Sequence, residues 1–317
     1  MKFLITGSSG FIGFHLAQKL LKKGHHVIGI DNHNDYYSVD LKKNRKKLLK
    51  HKNFKFYNID INKLTQLRLS NEEIDVAINL AAQAGVRLPD NLSFKYEDSN
   101  IDGFRVFLEF CKNLSIKNIL FASSSSVYGN QKNVPFNENL KLAHPVSAYA
   151  SSKIWNEIDA KNYQLQNDVN IIGIRFFTVY GPFGRPDMAY FNFTENIILN
   201  KEIKLFNYGE LERDMTHIND VIEGLEKVIP YLLSTKNDFQ IFNMGNEKPV
   251  KTIKVLKLIE KEVGKSALIK YINEAKEVKI THADSSKALK AFGFRPKVNI
   301  EHGISSFVRW YRDYFKI

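Results

Sequence analysis

The chain holds a single cysteine, Cys111, in 317 residues, which excludes an intrachain disulfide and a thiolate metal cluster. A reducing, cytoplasmic setting follows as the expectation, with no metal site. Long apolar runs are missing too: no stretch approaches the roughly 20 residues of a membrane span, so no membrane partner is expected. Met1-Lys2-Phe3-Leu4-Ile5 meets a polar, glycine-rich turn at once, too short for the apolar core of a signal peptide. Acidic residues are in deficit, 34 against 46 basic ones, for a formal net charge of +12. The densest basic run, Lys42-Lys43-Asn44-Arg45-Lys46-Lys47 with Lys50 and Lys52 behind it, reads as a solvated helix face. Attraction of an anionic small substrate is the next reading. Nucleic acid is not expected as a partner, because no nucleic-acid motif accompanies the charge. Repeats, low-complexity segments and long linkers are absent. What remains is globular composition, 44% hydrophobic and 25% charged, with length for one large or two modest domains.

The first organised stretch is Lys2 to Thr6, a short apolar strand, followed by Gly7, Gly10 and Gly13 and then a helical pattern from Phe11 to Lys23. Gly24 closes that helix, and His26 to Ile30 is a second strand ending at Asp31. Strand, glycine-rich turn, helix, strand and acid make a dinucleotide-binding unit. Its spacing is G-x-x-G-x-x-G, one residue longer in the first gap than the usual fingerprint. Small residues let backbone N–H groups approach a pyrophosphate at the helix N-terminus. A carboxylate at Asp31 accepts from ribose hydroxyls and repels a 2′-phosphate, which favours NAD over NADP. The plainer reading makes Asp31 a turn residue.

Four more strands follow: Phe54 to Ile59, ending in Asp60-Ile61; Asp75 to Leu80, ending in Ala81-Ala82-Gln83; Asn118 to Ala122, ending in Ser123-Ser124-Ser125-Ser126; and Ile171 to Phe177, ending in Thr178. Helical stretches separate them, so the expected fold is α/β, a doubly wound parallel sheet of Rossmann type. Ligands bind beyond the carboxyl ends of such strands, which gathers Gly13, Ala81, the serines and Thr178 around one crevice. Beyond Tyr180-Gly181-Pro182 the pattern turns irregular, with helices expected at 191–199, 221–233, 250–263 and 300–314 and strands at 239–244 and 268–271. Asn219 or Asp220 is expected to cap the second of those helices. This predicts a cofactor domain of residues 1–176 plus 213–245 and a second, smaller α/β substrate domain of 177–212 plus 246–317.

The chemistry centres on Tyr149-Ala150-Ser151-Ser152-Lys153, whose Tyr and Lys lie one helical turn apart. A free phenol has a pKa near ~10, so about 0.1% is ionised at pH 7; a cation one turn away favours the phenolate. Such a Tyr can take a proton from an alcohol, and a serine hydroxyl from the 123–126 run can hold the reacting oxygen and relay that proton. Alone, the pair reads more readily as a solvated helix face; the dinucleotide unit is what gives it a use.

With these residues in hand the sequence resembles the extended short-chain dehydrogenase/reductase family, and within it the UDP-glucuronate 4-epimerase group. The likeness rests on TGSSGFIG from Thr6, DNHNDYY from Asp31, AAQAGVR from Ala81, SSSSVYG from Ser123, YASSK from Tyr149, RFFTVYGPFGRPDM from Arg175 and RDMTHINDVIEG from Arg213. It implies tightly held NAD, a UDP-sugar substrate and a homodimer. It implies Tyr149, Lys153 and Ser124 as catalytic, with Lys153 also on the nicotinamide ribose. It implies cofactor contacts at Gly7, Gly10, Phe11, Ile12, Gly13, Asp31, Asn32, Asp60, Ile61, Leu80, Ala81, Ala82, Gln83, Ser123 and Phe176, beside Tyr149 and Lys153. Arg185 and Arg213 would grip the diphosphate, where the plain alternative is surface arginines in loops. Ser125, Ser126 and Thr178 would face the sugar, with Arg87 a further candidate.

The chain departs from that group at Leu88, where an aromatic is usual, at Asp214-Met215-Thr216-His217-Ile218-Asn219-Asp220, and at Lys276-Glu277-Val278-Lys279. These departures touch the sugar side rather than the cofactor. Another nucleotide-sugar 4-epimerase, of UDP-glucose or UDP-N-acetylglucosamine type, is therefore the alternative. In related dehydratases the Ser125-Ser126 positions carry an Asp-Glu pair, and in related decarboxylases a Glu; with serines here, both chemistries are disfavoured. A non-catalytic NAD-binding regulator would have no use for Tyr149, Lys153 and Ser124 together.

Overall fold

The computed structural model describes residues 1–69, 72–86, 88–142, 144–273 and 278–317. They form two compact units: 1–129, 142–175 and 225–242 make the first, and 130–141, 176–224 and 243–317 the second. In chain order the strands are β1 (Lys2–Thr6), β2 (His26–Asp31), β3 (Phe54–Asn58), β4 (Val76–Asn79), β5 (Asn118–Ser124) and β6 (Asn170–Phe176). They continue as β7 (Thr178–Tyr180), β8 (Glu202–Phe206), β9 (Glu212–His217), β10 (Phe239–Met244), β11 (Pro249–Lys251) and β12 (Leu268–Ile272).

The first unit is built on a seven-stranded sheet in the order β10-β6-β5-β4-β1-β2-β3. β1 pairs in parallel with both β2 and β4, Phe3 lying opposite Val27 on one side and Val76 on the other. The pairs β2–β3 and β4–β5 are parallel as well. Leu4, Ile5, Val76, Ala77 and Ile78 are all fully buried, which is why these strands read as unbroken apolar runs: both faces of the sheet are covered. One cover is the helix Gly103–Asn113, which turns Phe104, Phe107, Leu108, Phe110 and Cys111 into a cluster with Leu4, Ile28, Ile30 and Phe121. Each such phenylalanine contributes about 1.5–3 kcal/mol of burial. The chain runs outward from β1 in both directions, so the strand order reverses between β1 and β4. In an open α/β sheet that reversal is where a ligand finds a crevice.

The second unit holds a three-stranded sheet, β11-β9-β7, and a parallel pair, β12-β8. Its core gathers Tyr190, Phe191 and Phe193 from the helix Ala189–Ile198, Leu256 and Ile259 from Thr252–Val263, and Phe307 and Tyr311 from Ile300–Phe315.

Several local expectations are corrected here. Thr178 does not end the sixth strand, which stops at Phe176; Thr178 opens β7, paired with Met215 of β9. Arg213 is not in a loop or helix-leading segment but inside β9, opposite Val250. The helix expected from Val221 runs Ile218–Ser234, and the carboxylate of Asp220, instead of capping it, accepts from the N–H groups of Lys297 and Val298 at 3.1 and 3.0 Å. The basic run is a helix, Val39–Leu48, but not uniformly solvated: Lys42 and Arg45, three residues apart and so on one face, are 5% and 0% exposed.

Candidate active site

β1 delivers the chain to Gly7 at φ +71°, a conformation that favours glycine, and a Cβ there would sit 2.7 Å from the backbone of Leu80 and Ala81 at the end of β4. A Cβ on Gly13 would collide with the Gly7 carbonyl oxygen. The turn is thus pressed between the sheet and its own helix, Phe11–Lys22, and stays open only because side chains are missing. Gly10 is the N-cap of that helix and carries no side-chain cap, so the N–H groups of Phe11, Ile12 and Gly13 lack intrahelical acceptors. They form an anion cradle at the positive end of the helix.

Asp31 ends β2 and accepts from the backbone N–H of Ser9 at 3.0 Å and of His33 at 2.9 Å. It therefore does serve its turn, and it also ties the glycine turn to the second strand. A carboxylate has about four acceptor sites, which leaves capacity for ribose hydroxyls. Asn32 donates to Asp60 at 2.6 Å, and Asp60 caps the short 3₁₀ turn Ile61–Gln66 through the N–H of Asn62. The side chain of Ile61 belongs to the core cluster. Behind the turn, Arg45 donates to the Ser9 carbonyl at 3.1 Å and to the Tyr37 hydroxyl at 2.7 Å.

Tyr149 is the second residue of the helix Ala148–Gln166, capped by Ser147 Oγ accepting from the Ala150 N–H. The half-buried Tyr149 ring packs on Tyr96, ring centroids 5.9 Å apart, and Lys153 Nζ lies 5.8 Å from the Tyr149 centroid. Lys153 is 2% exposed and donates to the Ala122 carbonyl at 2.9 Å and to Asn156 Oδ1 at 3.4 Å. Burial pushes its pKa down to about 8, against the pull of the Glu157 charge. At pH 7 the ammonium still predominates.

Residues that sequence reasoning passed over fix this pair. Asn100 accepts from the Gln83 N–H at 2.7 Å and donates to Ser152 Oγ at 2.9 Å, while Asn156 donates to the Asn100 carbonyl at 2.5 Å. Asn100 lies in a π-helical segment, Glu97–Asp102, a backbone form common at functional sites. Nothing in the local sequence marks that segment. Asn156 and Glu157 did carry a signal, since they stand three and four residues past Lys153 on the same helix face. Glu157 is buried and accepts from Ser123 Oγ at 2.5 Å and from Arg175 at 2.8 and 2.7 Å.

The serine run divides by role. Ser123 and Ser124 finish β5, and the 3₁₀ turn Ser125–Tyr128 follows. Ser123 turns inward to Glu157, whereas Ser124 Oγ accepts from the Ser126 N–H and donates to Ser126 Oγ, both at 3.1 Å. Ser125 and Ser126 are half-buried.

In the second unit, Arg185 forms a two-pronged ion pair with Asp187 at 3.0 and 2.6 Å, both side chains 24% exposed. Arg213 donates to the carbonyls of Glu212 and Val278, each at 2.9 Å. Phe176 is 7% exposed and Thr178 half-buried. Arg87, Lys276 and Glu277 lie outside the described residues. Among the described residues no cluster of three His, Cys, Asp or Glu could hold a metal, and no helix is long and apolar enough to cross a membrane.

A parallel sheet with a glycine turn at its switch point and a Tyr/Lys helix beside it defines a dinucleotide-dependent enzyme. Residues 3–245 match the NAD dependent epimerase/dehydratase family, and the chain belongs to that family. It is 40% identical over 316 residues to a UDP-glucuronate 4-epimerase of Thermodesulfobacterium geofontis, covering 98% of this chain and 96% of that one. It is 39% identical over 333 residues to Protein CapI of Staphylococcus aureus, covering 100% of both. Among solved structures it is similar to UDP-glucuronic acid 4-epimerase from Bacillus cereus in complex with UDP-glucuronic acid and NAD. That likeness has a TM-score of 0.91 and 31% identity over 99% of this chain and 100% of that one. The expected α/β fold and the NAD-dependent family therefore both hold.

Proposed function

We propose that the protein is an NAD-dependent UDP-glucuronate 4-epimerase, interconverting UDP-glucuronate and UDP-galacturonate through a transient 4-keto sugar. The observation that carries this is end-to-end likeness to proteins of that activity, in a chain that keeps Tyr149 and the buried Lys153 one turn apart on one helix.

The residues fit NAD. The turn at Gly7, Gly10 and Gly13 is a cradle that a Cβ would fill, with Phe11 and Ile12 N–H groups facing a pyrophosphate. Asp31 and Asn32 take the adenosine ribose, Asp60 and Ile61 border the adenine, and Leu80 to Gln83, Ser123 and Phe176 line the path to the nicotinamide end. Bound NAD supplies a reversible acceptor for the C4 hydrogen of the sugar. Tyr149 as phenolate removes the 4-OH proton and later returns it. Lys153 stabilises that phenolate and holds a ribose hydroxyl. Ser124 hydrogen-bonds the same sugar oxygen. Arg185 and Arg213 bind the diphosphate, and Ser125, Ser126 and Thr178 bind the sugar and its carboxylate. Glu157 is committed to Arg175 and Ser123, so the serine segment has no carboxylate to run a dehydration or decarboxylation. In this assignment the first unit carries the glycine turn, the serines, Tyr149 and Lys153, and the second carries Phe176, Thr178, Arg185 and Arg213.

Replacing Asp31 by Ala removes a charged acceptor and should weaken NAD binding about tenfold, in line with a hydrogen bond to a charged group. Titration of cofactor-stripped protein with NAD and NADP checks this; equal affinity of the unaltered protein for both would refute the ribose assignment.

A homodimer is part of the same reading, in a reducing, cytoplasmic setting. Trp155 and Ile158, three residues apart on the Tyr149 helix, are 48% and 42% exposed and together offer an apolar spot for a second copy to cover. Trp155→Glu should convert a dimer to monomers in sedimentation; an unaltered protein that is already monomeric would remove this point.

The reading as a whole is tested by incubating purified protein with UDP-glucuronate, or with UDP-galacturonate, and separating the C4 epimers. Both should converge on one mixture with no net accumulation of NADH. Conversion of UDP-glucose alone would favour the alternative epimerase.

A further inference from the structure

Glu157 stands two helical turns beyond Tyr149 and one beyond Lys153, on the face turned to the sheet. Both carboxylate oxygens are engaged: Oε1 accepts from Ser123 Oγ at 2.5 Å and Arg175 Nε at 2.8 Å, and Oε2 from Arg175 Nη2 at 2.7 Å. Arg175 in turn donates to the Tyr128 hydroxyl at 2.9 Å and lies 4.8 Å from that ring's centroid. The strand residue before Ser123 is Ala122, whose carbonyl receives Lys153 Nζ. One cluster therefore fixes the rotamer of Glu157 and sits against the strand that anchors the lysine.

A buried ion pair of this kind is weak as a source of stability, because desolvation offsets most of the attraction. Its charge distribution has a clearer consequence. Charged and titratable groups near the lysine include Glu157 and Tyr149 on its own helix and Tyr96 against Tyr149, with Arg175 on β6 bonded to Glu157 and Tyr128 after β5 bonded to Arg175. Glu157 is the anion among them and lies nearest in the helix. Burial works against the charge of Arg175 too, but its bonds to Glu157, the Glu157 charge and Tyr128 raise its pKa, so the guanidinium stays ionised against the carboxylate it binds.

We propose that Glu157 is a positioning residue for the reaction: its carboxylate, fixed by Arg175 and Ser123, keeps the buried Lys153 cationic and thereby keeps Tyr149 ready to accept a proton. Only the kinetic arm of the test rests on the epimerase reading.

The test uses the holoenzyme carrying ¹³C-labelled lysine. The Lys153 signal is assigned by its loss in Lys153→Met, and its titration is followed by NMR. Glu157→Gln should lower the Lys153 pKa by about one unit, the effect of losing an opposite charge one turn away. Glu157→Asp, which keeps the charge, should restore most of it. Glu157→Gln leaves Arg175 without its anion and is at risk of misfolding. The double variant Glu157→Gln/Arg175→Met removes both charges, keeps the volume, and should show a smaller shift in the same direction. In the kinetic arm, the alkaline limb of the kcat profile should move to lower pH with the lysine. An unchanged Lys153 pKa in the folded Gln or double variant, with kcat lowered evenly at every pH, would make Glu157 a structural prop and overturn the proposal. If the unaltered protein epimerises no nucleotide sugar, the function fails while the NMR titration still decides the role of Glu157.

Discussion

Tyr149→Phe should lower epimerase turnover by about 10²- to 10⁴-fold, the usual loss for a missing general base, while fold and NAD content stay as they were. The substitution removes one oxygen and almost no volume. The ring keeps its packing against Tyr96, and the helix keeps its Ser147 cap. The loss is large because Lys153 alone cannot replace the phenolate: buried, with a pKa near 8, it is mostly protonated at pH 7 and offers no lone pair. Initial-rate assays with the variant as purified, beside its absorbance for bound cofactor, separate a chemical defect from a binding defect. Near-normal turnover would put the base on another residue.

The second large effect is the choice of sugar. UDP-glucuronate should be turned over about ten to a hundred times more efficiently than UDP-glucose, since each hydrogen bond to a charged carboxylate is worth about 1.5–3 kcal/mol. Thr178→Ala should narrow that gap by lowering kcat/KM for the acid sugar with little change for the neutral one. Measuring kcat/KM for both sugars in both proteins gives four numbers and one ratio of ratios. A preference for UDP-glucose in the unaltered protein would move attention to Leu88 and to the 276–279 segment, where the sequence departs from its group.

The glycine turn was legible in the sequence because its determinants are local. Gly7, Gly10 and Gly13 lie within seven residues, and the packing that requires them, turn against β4 and helix against turn, follows from a strand–turn–helix connection. The Tyr/Lys pair was legible for the same reason, one turn of one helix. Thr178 and Arg213 were misplaced because β7 and β9 are short and pair with each other across 35 or so residues of chain, and pairing at that separation leaves little trace in hydrophobic periodicity. The basic run misled in another way. Lys42 and Arg45 are buried because Tyr37, Asn34 and the Ser9 carbonyl receive them, and those partners come from other segments. Asn100 was invisible because its role depends on a π-helical detour that brings it to Gln83 and Ser152.

The most direct measurement follows the C4 hydrogen. UDP-glucuronate carrying deuterium on C4 is incubated with the enzyme in ordinary water, and the UDP-galacturonate formed is analysed by NMR and mass spectrometry. If oxidation and reduction occur at C4 within one site around Tyr149, the deuterium stays on C4 of the product while the configuration there inverts. Loss of the label to solvent, or inversion at any carbon other than C4, would contradict the account.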